Sequence, residues 1–358
     1  MPDLWRRSID LILENQSSTG AYPASPTFET YRYCWFRDGS FIAYAMDLAG
    51  EHDSAAKFHE WASGTVNSRR NVIARAVEKG KRGEPLRPGE YLHTRYSANG
   101  QEASGTDWPD FQLDGFGTWL WALRQHARRV GGRLPENWSQ AAAHIARYLQ
   151  TLWAQPCYDC WEESPDRVHT YTLAAIYGGL KACGEWAGND VHPTLDAIQN
   201  YLRDHAVAEG RLVKSSGSME IDASLVGAAA PYEAFGLDDP VVRATVRQIE
   251  SRLRKGGGVH RYPGDTYYGG GEWILLTAWV GWYYAQVGER DKALEALQWV
   301  EAQVDTEGHL PEQVPANLNQ PEAYGTWRRR WGDIARPLLW SHAKYIILSH
   351  HLKQTAGE

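Results

Sequence analysis

Apolar residues recur at helical spacing along nearly the whole chain, three and four positions apart. The pattern predicts twelve helices, at about 4–15, 38–49, 52–78, 114–131, 138–154, 167–184, 191–207, 222–235, 240–254, 272–287, 290–304 and 336–352. Several ends have local causes. Gly50 follows the second helix as a C-cap, Asp190 precedes the seventh as an N-cap, and Pro240 opens the ninth, where its missing N–H is harmless.

The connections alternate in length. Those at 49–52, 131–138, 184–191, 235–240 and 287–290 are short, which demands antiparallel neighbours. The segments 16–37, 79–113, 155–166, 208–221, 255–271 and 305–335 are long and rich in Gly, Pro and aromatic residues. Six helical pairs with every long loop on one side describe an all-α (α/α)6 toroid. Closing the ring removes the exposed ends that an open helical repeat would keep, and no repeated sequence period favours the open form. Residues on the long loops then converge on one face. Half of the helices point their N-termini, with free N–H donors, at that face.

Composition narrows the ligand. The 358 residues carry a formal charge of -7, which disfavours nucleic acid or an anionic membrane as partner. Seventeen Trp and 19 Tyr against 7 Phe favour surfaces with an apolar face and a polar rim, as a sugar pocket has. The start of the chain has no signal-peptide pattern and no run is long enough to span a membrane, so a cytoplasmic location is expected. Cys157 and Cys160 form a lone C-x-x-C without a second pair and read as reduced thiols, like Cys34 and Cys183.

The long loops carry the chemistry-bearing residues. The first ends in YRYCWFRDGS (31–40), with Trp35, Arg37 and Asp38. The second holds DWPDFQLDGFG (107–117) with Trp108, and the third YDCWEES (158–164) with Glu162 and Glu163. The fifth reads VHRYPGDTYYGGGEW (259–273), with Arg261, Asp265 and Trp273. The sixth holds LPEQ with Glu312, and PLLWSHAKY (337–345) follows it. Glycoside hydrolysis needs two carboxyl groups, one protonated toward the leaving oxygen and one that activates water in an inverting enzyme. Glu162 and Glu312 suit these roles, although 150 residues separate them. Trp161 and the like charge of Glu163 should raise the Glu162 pKa, while the polar segment around Glu312 suits an ionised base. Spacing alone does not single out these two among the chain's glutamates.

YRYCWFRD, WPDFQLDG, YDCWEES, IDASL (221–225), HRYPGDTYYGGGEW, and LPEQ with LLWSHA occur in an order that resembles glycoside hydrolase family 15, the glucoamylase-type enzymes, over almost the whole chain. The resemblance implies an (α/α)6 barrel and an inverting, exo-acting α-glucosidase. It implies that Glu162 is the general acid, Glu312 the general base, and Glu163 a grip on the leaving sugar. It further implies that Arg37 and Asp38 hold the distal hydroxyls of the terminal glucose, Trp35, Trp108 and Trp273 line the pocket, and Arg261 and Asp265 flank the sugar subsites. The reading gives one catalytic domain over 1–358, with no appended β-sandwich or starch-binding domain. Small α-glucosidic oligosaccharides are therefore the expected substrates, with α-1,6 slightly ahead of α-1,4 and trehalose third. The alternatives are a trehalase-type hydrolase, an (α/α)6 sugar epimerase using His169 and His342 (with His309 also near the site), and a non-catalytic sugar-binding protein. The chemistry needs no metal or cofactor. The sequence holds no H-E-x-x-H, EF-hand or G-x-x-x-x-G-K pattern, and His342, His350 and His351 read as a helix face.

Overall fold

A computed structural model describes residues 3–103, 108–184, 186 and 190–355. Among these lie thirteen α-helices: α1 Leu4–Asn15, α2 Phe36–Leu48, α3 His52–Asn67, α4 Arg70–Lys81, α5 Asp114–Arg129, α6 Glu136–Leu152, α7 Thr170–Cys183, α8 His192–His205, α9 Pro240–Leu253, α10 Ile274–Gln286, α11 Arg290–Glu301, α12 Pro321–Trp331 and α13 Leu339–Thr355. Pro240 opens α9 as expected, and Gly50 ends α2 with a positive φ of 85°.

The packing closes a ring. α2 lies between α13 and α5, α5 meets α7, and α10 meets α13. The 3-10 turn Ala223–Ala228 fills the gap between α7 and α10. These six segments are the inner wall of an (α/α)6 toroid. α1, α3, α6, α8, α9 and α11 pack outside it. The two layers differ in sequence for a physical reason. An inner helix touches protein on all sides, so every residue from Phe36 to Asp47 in α2 and from Ile274 to Ala285 in α10 is buried. An outer helix buries one stripe. In α6 it is Trp138, Ala141, Ala142, Ile145, Ala146, Tyr148, Leu149 and Leu152, spaced at one and two turns.

Three expected elements differ. The helix at 52–78 is two helices, because Ser68 Oγ and Arg69 Nη1 both bond the Thr65 carbonyl while Arg69 Nη2 reaches the Gly100 carbonyl. Those bonds divert the backbone carbonyl that would continue the helix. The helix at 222–235 shrinks to the 3-10 turn. Asp222 caps it through the Ser224 N–H at 2.8 Å, and Pro231 cannot supply an N–H to extend it. The loop 305–335 contains α12, which the apolar pattern did not announce. Its signal is aromatic: Tyr324, Trp327 and Trp331, at i, i+3 and i+7, pack against Tyr268, Tyr267 and Trp108.

Two-residue strands pin the loops at the mouth of the ring. Cys34–Trp35 pairs with Arg95–Tyr96. Arg254–Lys255, Gly258–Val259, Glu272–Trp273 and Gln313–Val314 form a four-stranded antiparallel sheet in that order. The last of its strand pairings sets Trp273 directly beside Gln313, next to Glu312. No helix among the described residues is long and apolar enough to cross a membrane.

Candidate active site

Inner helices α2, α10 and α13 begin at one face, and a cavity of about 260 Å³ sinks between them. Its wall includes nine of the ten residues singled out from the sequence: Trp35, Arg37, Asp38, Trp108, Glu162, Glu163, Arg261, Trp273 and Glu312. Asp107, next to Trp108 in its motif, lies outside the described residues. Asp265 stands behind the wall, fully buried, with both oxygens on the Arg261 guanidinium and one also on the Tyr267 N–H. It fixes Arg261 rather than presenting itself to the cavity.

Glu162 is built by a tight turn around Asp159. The Asp159 carboxylate accepts from the Trp161 and Glu163 N–H groups, each at 2.9 Å, and its carbonyl accepts from the Glu162 N–H at 2.9 Å. This turn holds Glu162 at φ 67°, a left-handed conformation uncommon for a side chain this size. The strained backbone sends the two neighbouring glutamates different ways. Glu162 accepts from Trp35 Nε1 inside the cavity. Glu163 turns to Tyr262, whose hydroxyl donates at 2.6 Å, and to Arg261 and Lys214 at 3.4 and 3.7 Å.

Burial pushes the Glu162 carboxyl up to about 7, against the opposing pull of Arg37, Trp35 and Trp108. The rise is the one expected, but its cause is desolvation together with Asp38, not the like charge of Glu163, which three donors hold elsewhere.

Glu312 differs more from its expectation. It is 3% exposed rather than solvated, and burial pushes its carboxyl up to about 8. The Tyr31 hydroxyl donates to Oε1 at 3.0 Å and meets the Tyr267 hydroxyl at 2.8 Å, while Oε2 has no hydrogen-bond partner. No hydrogen bond or ion pair among the described residues joins the two glutamates. Between them stand the rings of Trp35 and Tyr31, edge to face with centroids 5.9 Å apart.

Arg37 is braced by Gln112 and Asp114, both at 3.2 Å, and lies 3.3 Å from Asp38 and 5.2 Å from the Trp340 ring. Burial raises Asp38 to about 6, with Arg37 opposing. Arg37 Nε, Asp38 Oδ2, Trp273 Nε1 and Trp340 Nε1 are buried without hydrogen bonds. Residues of the wall thus keep hydrogen-bonding capacity that the protein itself does not use.

Sequence reasoning missed several members. Tyr31 and Tyr267 lie inside motifs already singled out, and their signal was two tyrosines whose hydroxyls need partners once buried. Lys214, from the fourth loop, lies 3.3 Å from both Asp159 and Asp222, and Trp161 Nε1 donates to Asp222 at 2.9 Å. Nothing local marks Lys214. α12 adds Trp327, Arg330 and Trp331 to the wall.

The histidines proposed for epimerisation are elsewhere. His169 bonds the Ser164 carbonyl at 2.9 Å, and His342 is fully buried between Ser8 Oγ and the Leu310 N–H, both at 2.9 Å. Burial holds His342 down at about 3, and neither ring lines the cavity. His309 sits by Arg7 and Asp305, also outside it. A proton-abstracting imidazole is therefore missing from the described wall. The four cysteines are free and buried, and burial raises the Cys157 and Cys160 thiols.

The chain is similar to known glycoside hydrolases. The isomaltose glucohydrolase of Kribbella flavida is 41% identical over 98% of this chain and 92% of its own length. A glycosidase solved in complex with glucose superposes with a TM-score of 0.93, at 39% identity, over 98% of this chain and 96% of its own. A bacterial glucoamylase complexed with acarbose shares the fold at a TM-score of 0.72 and 17% identity, covering 98% of this chain and 55% of its own. The model of the glycosyl hydrolases family 15 matches residues 4–306, and the chain belongs to that family of glycoside hydrolases.

Proposed function

We propose that this chain is an inverting, exo-acting α-glucosidase that releases β-glucose from the non-reducing end of short α-gluco-oligosaccharides, with the α-1,6 bond of isomaltose-type substrates preferred. The observation that carries the reading is the pair of carboxyls on one cavity wall, Glu312 buried and Glu162 half-buried, held apart on separate partners. Glu162, on the Trp35 indole donor, is the general acid toward the glycosidic oxygen. Glu312 is the general base, and its unpartnered Oε2 is the acceptor for a water proton. In the ligand-free protein the higher pKa belongs to Glu312, so pKa order alone would reverse the roles. The roles are assigned here from the family's order of motifs and from each carboxyl's partners. A water on Oε2, together with the Tyr31 hydroxyl, stabilises the ionised form once substrate is bound.

Arg37, braced by Gln112 and Asp114, and Asp38 grip the distal hydroxyls of the terminal glucose and close that end. Trp35, Trp108 and Trp273 give the sugar its apolar walls. Arg261, held by Asp265, and Glu163, held by Tyr262, contact the departing sugar. The α-1,6 preference rests on the 41% identical relative named for isomaltose. Glucose release from isomaltose, maltose, kojibiose, nigerose and trehalose tests the linkage, with isomaltose expected fastest. The anomeric proton followed by NMR tests the stereochemistry: β-glucose appears first, and an initial α-anomer overturns inversion.

A further inference from the structure

At the far end of α2, ten residues and about 15 Å beyond Arg37, three helices bring together side chains that the hydrolysis does not use. Asp47 of α2, His59 of α3 and His126 of α5 are buried. One Asp47 oxygen and one nitrogen from each imidazole lie within 4.8 Å of one another. His126 Nδ1 sits 2.9 and 3.1 Å from the two Asp47 oxygens, and His52 Nδ1 lies 2.8 Å from Oδ1. These contacts account for Asp47 and His126. They do not account for His59. It is fully buried, and neither of its ring nitrogens has a hydrogen-bond partner. Its ring packs among Phe58, His126 and Trp138, with centroids 5.1 to 5.7 Å away. A neutral imidazole has one donor and one acceptor, and burying both unmet is unfavourable.

We propose that Asp47, His59 and His126 form a structural site for one divalent transition-metal ion of the zinc type, which ties the inner helices α2 and α5 to the outer helix α3. Two imidazoles and one carboxylate are a zinc donor set, whereas calcium and magnesium prefer all-oxygen ligands. Bonds of about 2.0–2.1 Å in a tetrahedron hold donors about 3.3 Å apart. The observed donors need to close by about 1.5 Å at most to reach that spacing. His52, on Asp47 but half-exposed, stands outside this group, so a water would complete the tetrahedron. One negative carboxylate offsets half of the ion's charge.

The full chain is unfolded in chelator, refolded with or without ZnCl2, and desalted. One zinc per chain by elemental analysis, with a melting temperature that rises until one equivalent is reached, is the expected result. Cobalt in place of zinc should give the visible absorption of a four-coordinate nitrogen and oxygen site. His59→Phe keeps the ring volume and removes both nitrogens. It should fold, hydrolyse α-glucosides like the wild type well below its melting temperature, melt no lower than metal-free wild type, and show no zinc response. Retention of less than a tenth of an equivalent by the wild type overturns the proposal, as does an equal zinc response in His59→Phe. If that variant fails to fold, the wild-type stoichiometry and the cobalt spectrum decide.

Discussion

The two ends of α2 hold similar ingredients in opposite settings. At the N-terminal end, Arg37 and Asp38 join Glu162 and Glu312 around a cavity. At the C-terminal end, Asp47, His59 and His126 meet in a closed space between helices and an aromatic wall. Both ends bury polar atoms without partners. Beside a cavity, such atoms are unused capacity that a polyhydroxylated ligand can satisfy. Within a closed core, the partner must arrive with folding. An unmet polar group therefore reads as recognition in one place and as an unidentified structural partner in the other.

The comparison can be broken most sharply at the carboxyls. Glu162→Gln and Glu312→Gln should each lower turnover of an isomaltose-type substrate by at least roughly 10²–10⁴-fold, the usual range for general acid–base groups. Circular dichroism should show the fold retained. Near-normal rates in either variant remove that residue from the chemistry.

Trp35→Phe should have the next largest effect. It deletes the indole donor to Glu162, and kcat/KM should fall by about tenfold, the equivalent of one charge-assisted hydrogen bond. The donor lowers the Glu162 pKa, so its loss should move the alkaline limb of the pH profile upward. An unmoved limb detaches Glu162 from that limb.

Stability gives a third test, in which the sign separates pocket from core. Folding raises both carboxyls from 4.5, to about 7 for Glu162 and about 8 for Glu312. Each binds its proton more tightly folded than unfolded. Their favourable contribution is complete below the unfolded value and is lost as pH rises through the folded values. The ligand-free wild type should therefore lose melting temperature between pH 5 and 8. Glu162→Gln and Glu312→Gln should lose less, and should melt above wild type at pH 8. Parallel wild-type and variant curves would falsify the raised values.

The smallest effect is expected at the leaving side. Tyr262→Phe releases one donor from Glu163 and should raise KM a few-fold with kcat nearly unchanged. A collapse of kcat instead would place Glu163 in the bond-breaking step.

Much of the fold was legible because its cause is local and periodic. Inner and outer helices carry different apolar patterns, and the alternation of short and long links fixes their pairing. The readings failed where a side chain overrode the pattern. Arg69 and Ser68 divided one expected helix, and Pro231 curtailed another. In α12 the stripe is aromatic and faces the site rather than the core.

The sequence by itself determined the ring of helical pairs, the face on which the long loops gather, and the motifs that bring Glu162 and Glu312 there. Helical period and link length are properties of short stretches and survive in one dimension. Only the tertiary structure decided how each group is used. It turned Glu163 away from Glu162, buried Glu312, and set Asp265 behind Arg261 and Lys214 beneath the Asp159 turn. It also joined Asp47, His59 and His126 across separations that match no metal motif. Desolvation and hydrogen-bond partners depend on what distant segments place around an atom, and sequence spacing does not encode that.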